Sequence, residues 1–266
     1  MDDFINLADT ISDARIEEFK EMKAKLVSNI IDCKDHGEGV QATLANTCLQ
    51  CRNEKENKDA DAKKWERMQE HAMVPLRYRD SSFDNYYVTD GNQKQQQFKN
   101  EMLSYDYNSN LLLIGDTGRG KTHLACALLN RALNSGMSGF YVPYYRAIDY
   151  KLHETNIFKQ MINYDFLIID EFGVQDTIFK KNLLQEIIDE RYLQCTAKQF
   201  KPTIIISNLK LSPSPEEDLT AQVKGIKLTG YFRDAVADAT KSRLKENYKY
   251  HTSMPWEDYR LKKGGK

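Results

Sequence analysis

Apolar and polar positions follow two different periods along the chain. Between residues 11 and 31, large apolar side chains recur at steps of three and four, which predicts an amphipathic helix. Beyond residue 75, short apolar runs alternate with longer helical stretches. These runs lie at residues 111–114, 139–142, 166–169 and 203–206. Continuous apolar strands separated by helices predict a parallel sheet covered on both faces, and therefore an α/β fold.

The change of pattern also predicts the domain boundary. Residues 52–71 carry six acids and six bases with few large apolar groups, which predicts an exposed helix or a semi-rigid linker. Pro75 is the predicted border. We therefore predict an N-terminal module over residues 1–74 and an α/β domain over residues 75–266.

Composition narrows the class of protein. The chain has 266 residues and a net charge of −1, which is typical of a soluble globular protein. It has no apolar run near the ~18 residues of a membrane span, and the residues after Met1 lack the order of a secretory signal. We predict a cytoplasmic protein without a membrane partner. Charge is nevertheless separated, at −5 over residues 1–22 and +5 over residues 241–266, which favours either two partner surfaces or two solvated helix faces.

A glycine-rich segment follows the first apolar run. It fits the pattern G-x-x-x-x-G-K-[ST], whose backbone N–H groups surround phosphate oxygens at the start of a helix. Lys121 is expected to neutralise the β and γ phosphates of ATP, and Thr122 to place its hydroxyl on Mg²⁺. The predicted nucleotide-binding residues are Gly115, Asp116, Thr117, Gly118, Arg119, Gly120, Lys121, Thr122 and His123.

Two later strands end in polar residues that suit ATP hydrolysis. The run 166–169 ends in Asp170 and Glu171. We predict that Asp170 organises Mg²⁺ and that Glu171 polarises the attacking water, a pair that separates hydrolysis from nucleotide binding alone. Asn208 follows the run 203–206 and is predicted to orient that water or to touch the γ-phosphate.

The N-terminal module contains two pairs of metal-ligating residues. Cys33 and His36 form one pair, Cys48 and Cys51 form the other, and eleven residues separate the pairs. Three thiols and one imidazole satisfy tetrahedral Zn²⁺ without an open position, so we predict a structural zinc site. Gly37 allows the tight turn that the first pair requires. Because this segment is poor in apolar residues, the metal would supply its folding energy.

Several further segments resemble one family. They are Pro75-Leu76-Arg77-Tyr78-Arg79, Ser82-Phe83-Asp84-Asn85-Tyr86, Gly120-Lys121-Thr122-His123-Leu124-Ala125, Ile169-Asp170-Glu171-Phe172-Gly173-Val174-Gln175, Asp189-Glu190-Arg191-Tyr192 and Trp256-Glu257-Asp258-Tyr259-Arg260. Together, over roughly residues 75–260, they resemble the bacterial DnaC-type replicative helicase loaders, including the phage-encoded versions. A similar Cys/His module precedes the ATPase in some phage and prophage relatives.

The resemblance implies an AAA+ ATPase that binds the hexameric replicative DNA helicase. Such loaders help to place the helicase on single-stranded DNA in replication initiation, and their N-terminal module holds the helicase. The resemblance also implies self-association, because an arginine from a neighbouring subunit completes each ATP site. We expect the same partners and the same ATP-dependent switch for this chain.

The sequence departs from the family at that arginine. The segment Ser242-Arg243-Leu244 is present, but Ala239 stands where the inter-subunit arginine is expected. Arg243 matches the second arginine of the family, and Arg233 is the nearest substitute for the first. Since an arginine finger is worth ~10³–10⁵ in turnover, we predict weak ATP hydrolysis that serves as a switch.

Basic and aromatic residues alternate near the C-terminal end, from Tyr248 to His251 and at Trp256, Tyr259 and Arg260. This composition is typical both of a surface that stacks single-stranded DNA and of aromatic cover for a core.

Three other functions also stay open. They are an IstB-type transposition helper that binds duplex DNA and a transposase, a small-molecule P-loop kinase, and a zinc-bearing adaptor with a degenerate ATPase.

Overall fold

The chain divides into two compact units, Met1–Arg67 and Met68–Lys266. The computed structural model describes residues 30–42, 47–173, 178–196, 199–210, 231–232, 238–246 and 248–251, together with Glu17, Lys20, Ser214, Glu217, Val236, Met254 and Trp256. None of the helices within these residues is long and apolar enough to cross a membrane.

The first unit contains a short hairpin and the start of a long helix. Strands β1 (Ile30–Cys33) and β2 (Gly37–Gln41) pair antiparallel. Gly37 has a φ of 85°, which is the left-handed conformation that the tight turn requires. Helix α1 (Leu49–His71) then runs for 23 residues and continues into the second unit. Its residues 52–64 are all exposed. The charged stretch is therefore an exposed helix, which is one of the two structures predicted for it.

The helix predicted over residues 11–31 lies mostly outside the described residues, although Glu17 and Lys20 are helical. The prediction is wrong at its end, where Ile30 and Ile31 belong to β1. These two β-branched residues face Gln41 and Val40 across the hairpin, and β-branched side chains favour such pairing.

The second unit is an α/β fold built on one parallel sheet, as predicted. Its strands are β3 (Asn110–Ile114), β4 (Gly139–Pro143), β5 (Phe166–Phe172), β6 (Thr203–Ser207) and β7 (Tyr248–His251), in the spatial order β4-β5-β6-β3-β7. Its helices are α2 (Gln93–Leu103), α3 (Lys121–Asn134), α4 (Tyr144–His153), α5 (Thr155–Asn163), α6 (Ile178–Gln194) and α7 (Asp238–Glu246), after a 3₁₀ turn at Leu76–Tyr78.

The four predicted apolar runs form strands β3, β4, β5 and β6. All five residues of β3 and of β6 are buried, because both strands are central and the sheet is covered on both faces. Helix α3 packs on β4 and β5, and α7 packs on α6. The sheet therefore supplies the main core and directs the carboxyl ends of β3, β5 and β6 to one edge.

The fifth strand was not predicted. Residues 248–251, which the sequence offered as a DNA surface or as core cover, form the edge strand β7 beside β3. The alternation of tyrosine with lysine and histidine has the period of two of a strand, and it also matches the composition of a DNA-binding groove. Composition alone does not separate these two structures.

The start of the second unit lies before the predicted border at Pro75. Gln69 is buried in α1, and its side-chain amide donates to the carbonyl of Arg79 at 2.6 Å and to the side chain of Asn130 at 3.1 Å. The carbonyl of Ala72 accepts from the N–H of Tyr141 at 2.8 Å. These contacts make the last turn of α1 and the residue after it part of the α/β unit.

Arg191 is a buried cation that ties several loops to the sheet. All five of its N–H donors are used: one binds the hydroxyl of Thr203, and four bind the carbonyls of Ile162, Tyr164, Asp165 and Pro202, at 2.7–3.3 Å. Burial lowers the pKa of Arg191 to about 10, so the side chain remains charged at neutral pH. A buried charge of this kind is stable only while its hydrogen bonds are complete.

We expect Arg191→Lys to lower the free energy of unfolding by about 3 kcal/mol or more, because an ammonium group has three donors and cannot reproduce the planar fork. Urea unfolding followed by circular dichroism measures the change. Arg146→Lys is the matched control, since Arg146 is exposed on α4 and its replacement should cost less than ~0.5 kcal/mol. Equal unfolding midpoints for the two variants would contradict the assigned role of Arg191.

Candidate functional site

The phosphate loop connects β3 to α3 at the carboxyl edge of the sheet. Gly118 and Gly120 have φ values of 80° and 87°, a conformation that glycine adopts without strain. A Cβ atom at Gly120 would lie 2.6 Å from the Tyr86 ring, so no larger residue fits there. The ammonium group of Lys121 donates to the carbonyls of Gly115 and Asp116 at 2.6 and 2.7 Å. This geometry holds the lysine inside the loop, where an anion would meet it.

Asp170 lies beside the loop at the end of β5 and is buried. Its carboxylate accepts from the hydroxyl of Thr122 at 2.9 Å, from the hydroxyl of Tyr141 at 2.8 Å and from the N–H of Glu171 at 2.7 Å. Burial raises the pKa of Tyr141, so this hydroxyl stays protonated and donates. A threonine hydroxyl next to a carboxylate is an oxygen set that suits Mg²⁺.

Glu171 differs from its neighbour in both exposure and backbone geometry. The pairing of β5 with β6 shifts register between Ile169 and Phe172, and Glu171 lies in this irregular stretch with a φ of 58°. Left-handed backbone at a non-glycine residue costs ~1–3 kcal/mol and persists where the surrounding structure enforces it. The irregularity leaves Glu171 exposed while Asp170 is buried, so the two carboxylates have different surroundings.

A cleft of about 530 Å³ joins these parts. It is lined by residues 117–123 of the loop and helix, by both carboxylates and by Asn208, which is exposed just after β6. Residues before the sheet close another side. They include Arg77, Tyr78, Asn85, Tyr86, Tyr87 and Gln95. The structure thus brings residues 117–123 of the predicted loop together with Asp170, Glu171 and Asn208, whereas Gly115 and Asp116 are not among the residues that line the cleft.

His123 connects the loop helix to this earlier segment. Its Nε2 lies 3.0 Å from the carbonyl of Ser82, and its ring centroid lies 5.6 Å from that of Tyr86. Burial lowers the pKa of His123, which favours the neutral ring with Nε2–H as the donor. In this structure His123 positions the segment that covers the loop.

Of the two predicted arginines, Arg243 is not among the described residues that line this cleft. Arg243 forms an ion pair with Asp189 and borders a depression that also contains Asn110 and Thr203, the first residues of β3 and β6. That edge is one strand length from the phosphate loop, about 16 Å for five residues. Arg243 therefore does not contact the phosphate loop of its own chain in this structure. Arg233 lies outside the described residues.

Sequence reasoning missed three aromatic residues of the site. Tyr141 binds Asp170, Tyr86 covers Gly120, and Trp256 is buried with its indole N–H donating to the carbonyl of Arg119 at 2.9 Å. Trp256 is therefore not an exposed ring for stacking DNA. The only available signal was the position of Tyr86 and Trp256 in segments that resemble the loaders.

The four predicted metal ligands form a cluster in the first unit. The ligand atoms of Cys33, His36, Cys48 and Cys51 all lie within 4.8 Å of one another, and the distance from His36 Nδ1 to Cys51 Sγ is 3.2 Å. The hairpin turn brings the first pair together, and the start of α1 presents the second. A set of three thiols and one imidazole fits Zn²⁺ in a closed tetrahedral site.

The surroundings of the cluster also suit a metal. The hydrogen bond from His36 lowers the pKa of Cys33 to about 6, whereas the hydrogen bond with Cys33 raises the pKa of Cys51 to about 12, so without a metal the proton is held on Cys51. On the far side of the ring, His36 Nε2 lies 2.9 Å from a carboxylate oxygen of Glu54. Such a carboxylate fixes the orientation of a ligating histidine.

The sheet, the glycine-rich loop after β3 and the acidic end of β5 define an α/β P-loop ATPase core of the AAA+ class. Comparison with known families agrees with this class. A family model described as IstB-like ATP binding protein matches residues 27–213, which is more than half of the 266 residues. The chain belongs to the IstB-like ATP-binding protein family.

Two curated relatives match part of the chain. A putative ATP-binding protein of insertion sequence IS1162 from Pseudomonas fluorescens is 30% identical over 143 residues, 49% of this chain and 60% of that protein. Uncharacterized protein YdaV from Escherichia coli K12 is 28% identical over 131 residues, 45% of this chain and 52% of that protein. The chain thus spans between about half and three-fifths of the length of these relatives.

Two solved structures are similar to the chain at lower identity. The DnaC helicase loader has a TM-score of 0.49 and 21% identity, covering 66% of this chain and 98% of that one. A putative primosome component from Streptococcus pyogenes serotype M3 has a TM-score of 0.47 and 18% identity, covering 69% and 92%. Similarity at this level does not extend to function.

We expect the purified protein to contain one zinc ion, and Cys51→Ser to lower that content to below half, because the variant leaves three ligands for a tetrahedral ion. Zinc is measured by atomic emission and by release to a colorimetric chelator. The control is Cys195→Ser, since Cys195 is a half-buried thiol of the second unit. Zinc-free wild-type protein, or equal zinc in both variants, would contradict the assignment.

Proposed function

We propose that the chain hydrolyses ATP in this cleft. Lys121 would move from the loop carbonyls to the phosphates, which offer it a stronger charge-assisted contact. Thr122 and Asp170 would hold Mg²⁺, whose charge supports phosphoryl transfer when it is bound. Glu171 and Asn208 would orient the water opposite the leaving phosphate. The placement of Asp170 and Glu171 beside the loop is the single observation that supports hydrolysis.

We expect the turnover to be slow, well below the ~10 s⁻¹ of an average enzyme, because Ala239 replaces the expected arginine. Steady-state phosphate release measures it.

Lys121→Ala should weaken ATP binding on the order of 100-fold without changing the zinc content. The control is Lys159→Ala on the exposed face of α5, which should leave ATP binding unchanged. Fast turnover that Arg233→Ala leaves unchanged, or ATP affinity that survives Lys121→Ala, would refute this proposal.

The biological role that we propose is that of a replicative helicase loader. ATP would favour a subunit assembly that holds the hexameric helicase, and hydrolysis or contact with single-stranded DNA would release it. Support comes from the segments that resemble DnaC-type loaders. Further support comes from the first unit, in which the Cys/His cluster lies at the start of a helix whose residues 52–64 are exposed.

A second candidate is a transposition helper ATPase that binds duplex DNA and a transposase. The family match and the relative from an insertion sequence favour it. The matched residues 27–213 also include the Cys/His cluster, so the cluster does not separate the two roles. The kinase alternative has less support, because Asp170, Glu171 and Asn208 form the polar set of a hydrolase.

We expect the protein to form a stable complex with the replicative helicase of its own cell in the presence of ATP. Size-exclusion chromatography with light scattering detects it. Deletion of residues 1–51 should abolish the complex but preserve ATP binding, which is the control for folding. DNA binding measured in parallel should favour single strands. If no complex forms in any nucleotide state and the protein prefers duplex DNA, the loader role is refuted and the transposition helper is favoured instead.

A further inference from the structure

Two aromatic side chains from distant parts of the chain donate to one carbonyl of the phosphate loop. The indole N–H of Trp256 lies 2.9 Å from the oxygen of Arg119, and the hydroxyl of Tyr86 lies 3.4 Å from the same oxygen. Both side chains are buried. Tyr86 precedes the sheet, whereas Trp256 follows its last strand.

The Arg119 carbonyl and the Gly120 N–H belong to one peptide unit. In a trans peptide these two groups are coplanar and point in opposite directions, and the described residues contain no cis peptide. Donors that hold the oxygen therefore also fix the direction of the N–H, which points away from them. In this loop motif the inward N–H groups bind the phosphates.

The two donors are themselves held in place. The side-chain amide of Gln95 lies 3.4 Å from the Tyr86 hydroxyl, and the Trp256 ring packs on Phe98 with centroids 5.6 Å apart. Burial raises the pKa of Tyr86, so its hydroxyl remains a neutral donor. Both partners come from α2 (Gln93–Leu103), which makes this helix the support of the arrangement.

Met254 extends the contact along the loop. A Cβ atom at Gly115 would lie 3.3 Å from the Met254 Cβ, so the C-terminal segment touches the loop near its first glycine as well as at Arg119. Met254 and Trp256 therefore both lie against the loop, and Trp256, like Tyr86, also lines the cleft.

We propose that Trp256 and Tyr86 are positioning residues for phosphate binding. By holding the Arg119 carbonyl they fix the direction of the Gly120 N–H toward the phosphates, and Trp256 and Tyr86 thereby control the affinity of the loop. This inference rests on the ATP site proposed above. It assigns to Trp256 a role on the loop backbone, in place of a role in stacking DNA or the nucleotide base.

The test is the substitution Trp256→Phe, which keeps a ring against Phe98 and removes the N–H donor. We expect ATP to bind about threefold to tenfold more weakly, the effect of one hydrogen bond, in calorimetry at a temperature where circular dichroism shows a folded protein. Competition by inorganic pyrophosphate, which lacks a base, should weaken by the same factor. Trp65→Phe is the matched control, since Trp65 is the other tryptophan and lies in the first unit.

Two results would overturn the inference, and a third would refute the ATP site on which it rests. A folded Trp256→Phe variant with wild-type affinity for ATP would overturn it, and so would a loss for ATP that pyrophosphate does not share, because that pattern indicates contact with the nucleoside. Tyr86→Phe removes the second donor and keeps its ring, so it tests the same carbonyl if the tryptophan variant does not fold. Failure of the wild-type protein to bind ATP would instead refute the proposed ATP site.

Tryptophan fluorescence gives an independent readout. In the Trp65→Phe protein the sole indole is Trp256, and we expect its emission to change when ADP binds, because its hydrogen-bond partner belongs to the loop. In the Trp256→Phe protein, emission from Trp65 should not respond. An unchanged Trp256 emission at saturating ADP would contradict a coupling between the C-terminal segment and the loop.

Discussion

A phosphate loop binds its ligand through backbone N–H groups that all face one point, and glycine permits this arrangement without stabilising it. Gly118 and Gly120 allow the loop to adopt left-handed backbone conformations. The same freedom raises the conformational entropy that is lost when the loop becomes ordered. The conformation must therefore be stabilised from outside. Here the sheet anchors one end of the loop through β3, α3 anchors the other, and aromatic side chains hold the middle.

Asp170 has a comparable role at the next strand. Its carboxylate receives donors from α3, from β4 and from its own backbone through Thr122, Tyr141 and the N–H of Glu171. One buried group thus aligns three elements at the carboxyl edge of the sheet. Because these donors are fixed by packed elements, the carboxylate is oriented before any cation arrives, which lowers the cost of reorganising the site on binding.

Features with a local sequence pattern were predictable. The four apolar runs, the glycine-rich loop and the spacing of the metal ligands each depend on neighbouring residues, and the structure contains all three. Features that depend on distant contacts were not. Residues 248–251 become a strand only because β3 has an open edge, Arg191 is buried only because four carbonyls converge on it, and Trp256 reaches a loop far from it in the chain.

The position of β3 in the sheet has a consequence for folding during synthesis. Its neighbours β6 and β7 both come later in the chain, and the contact of Asn110 with Thr203 already spans 93 residues. The loop contact of Trp256 spans 137 residues. The strand that leads into the nucleotide site must therefore wait for nearly all of the described chain before it is covered, and pairing over such separations is slow. The complete nucleotide site accordingly forms only after residue 256 has been synthesised, and until then the apolar strand β3 lacks part of its cover.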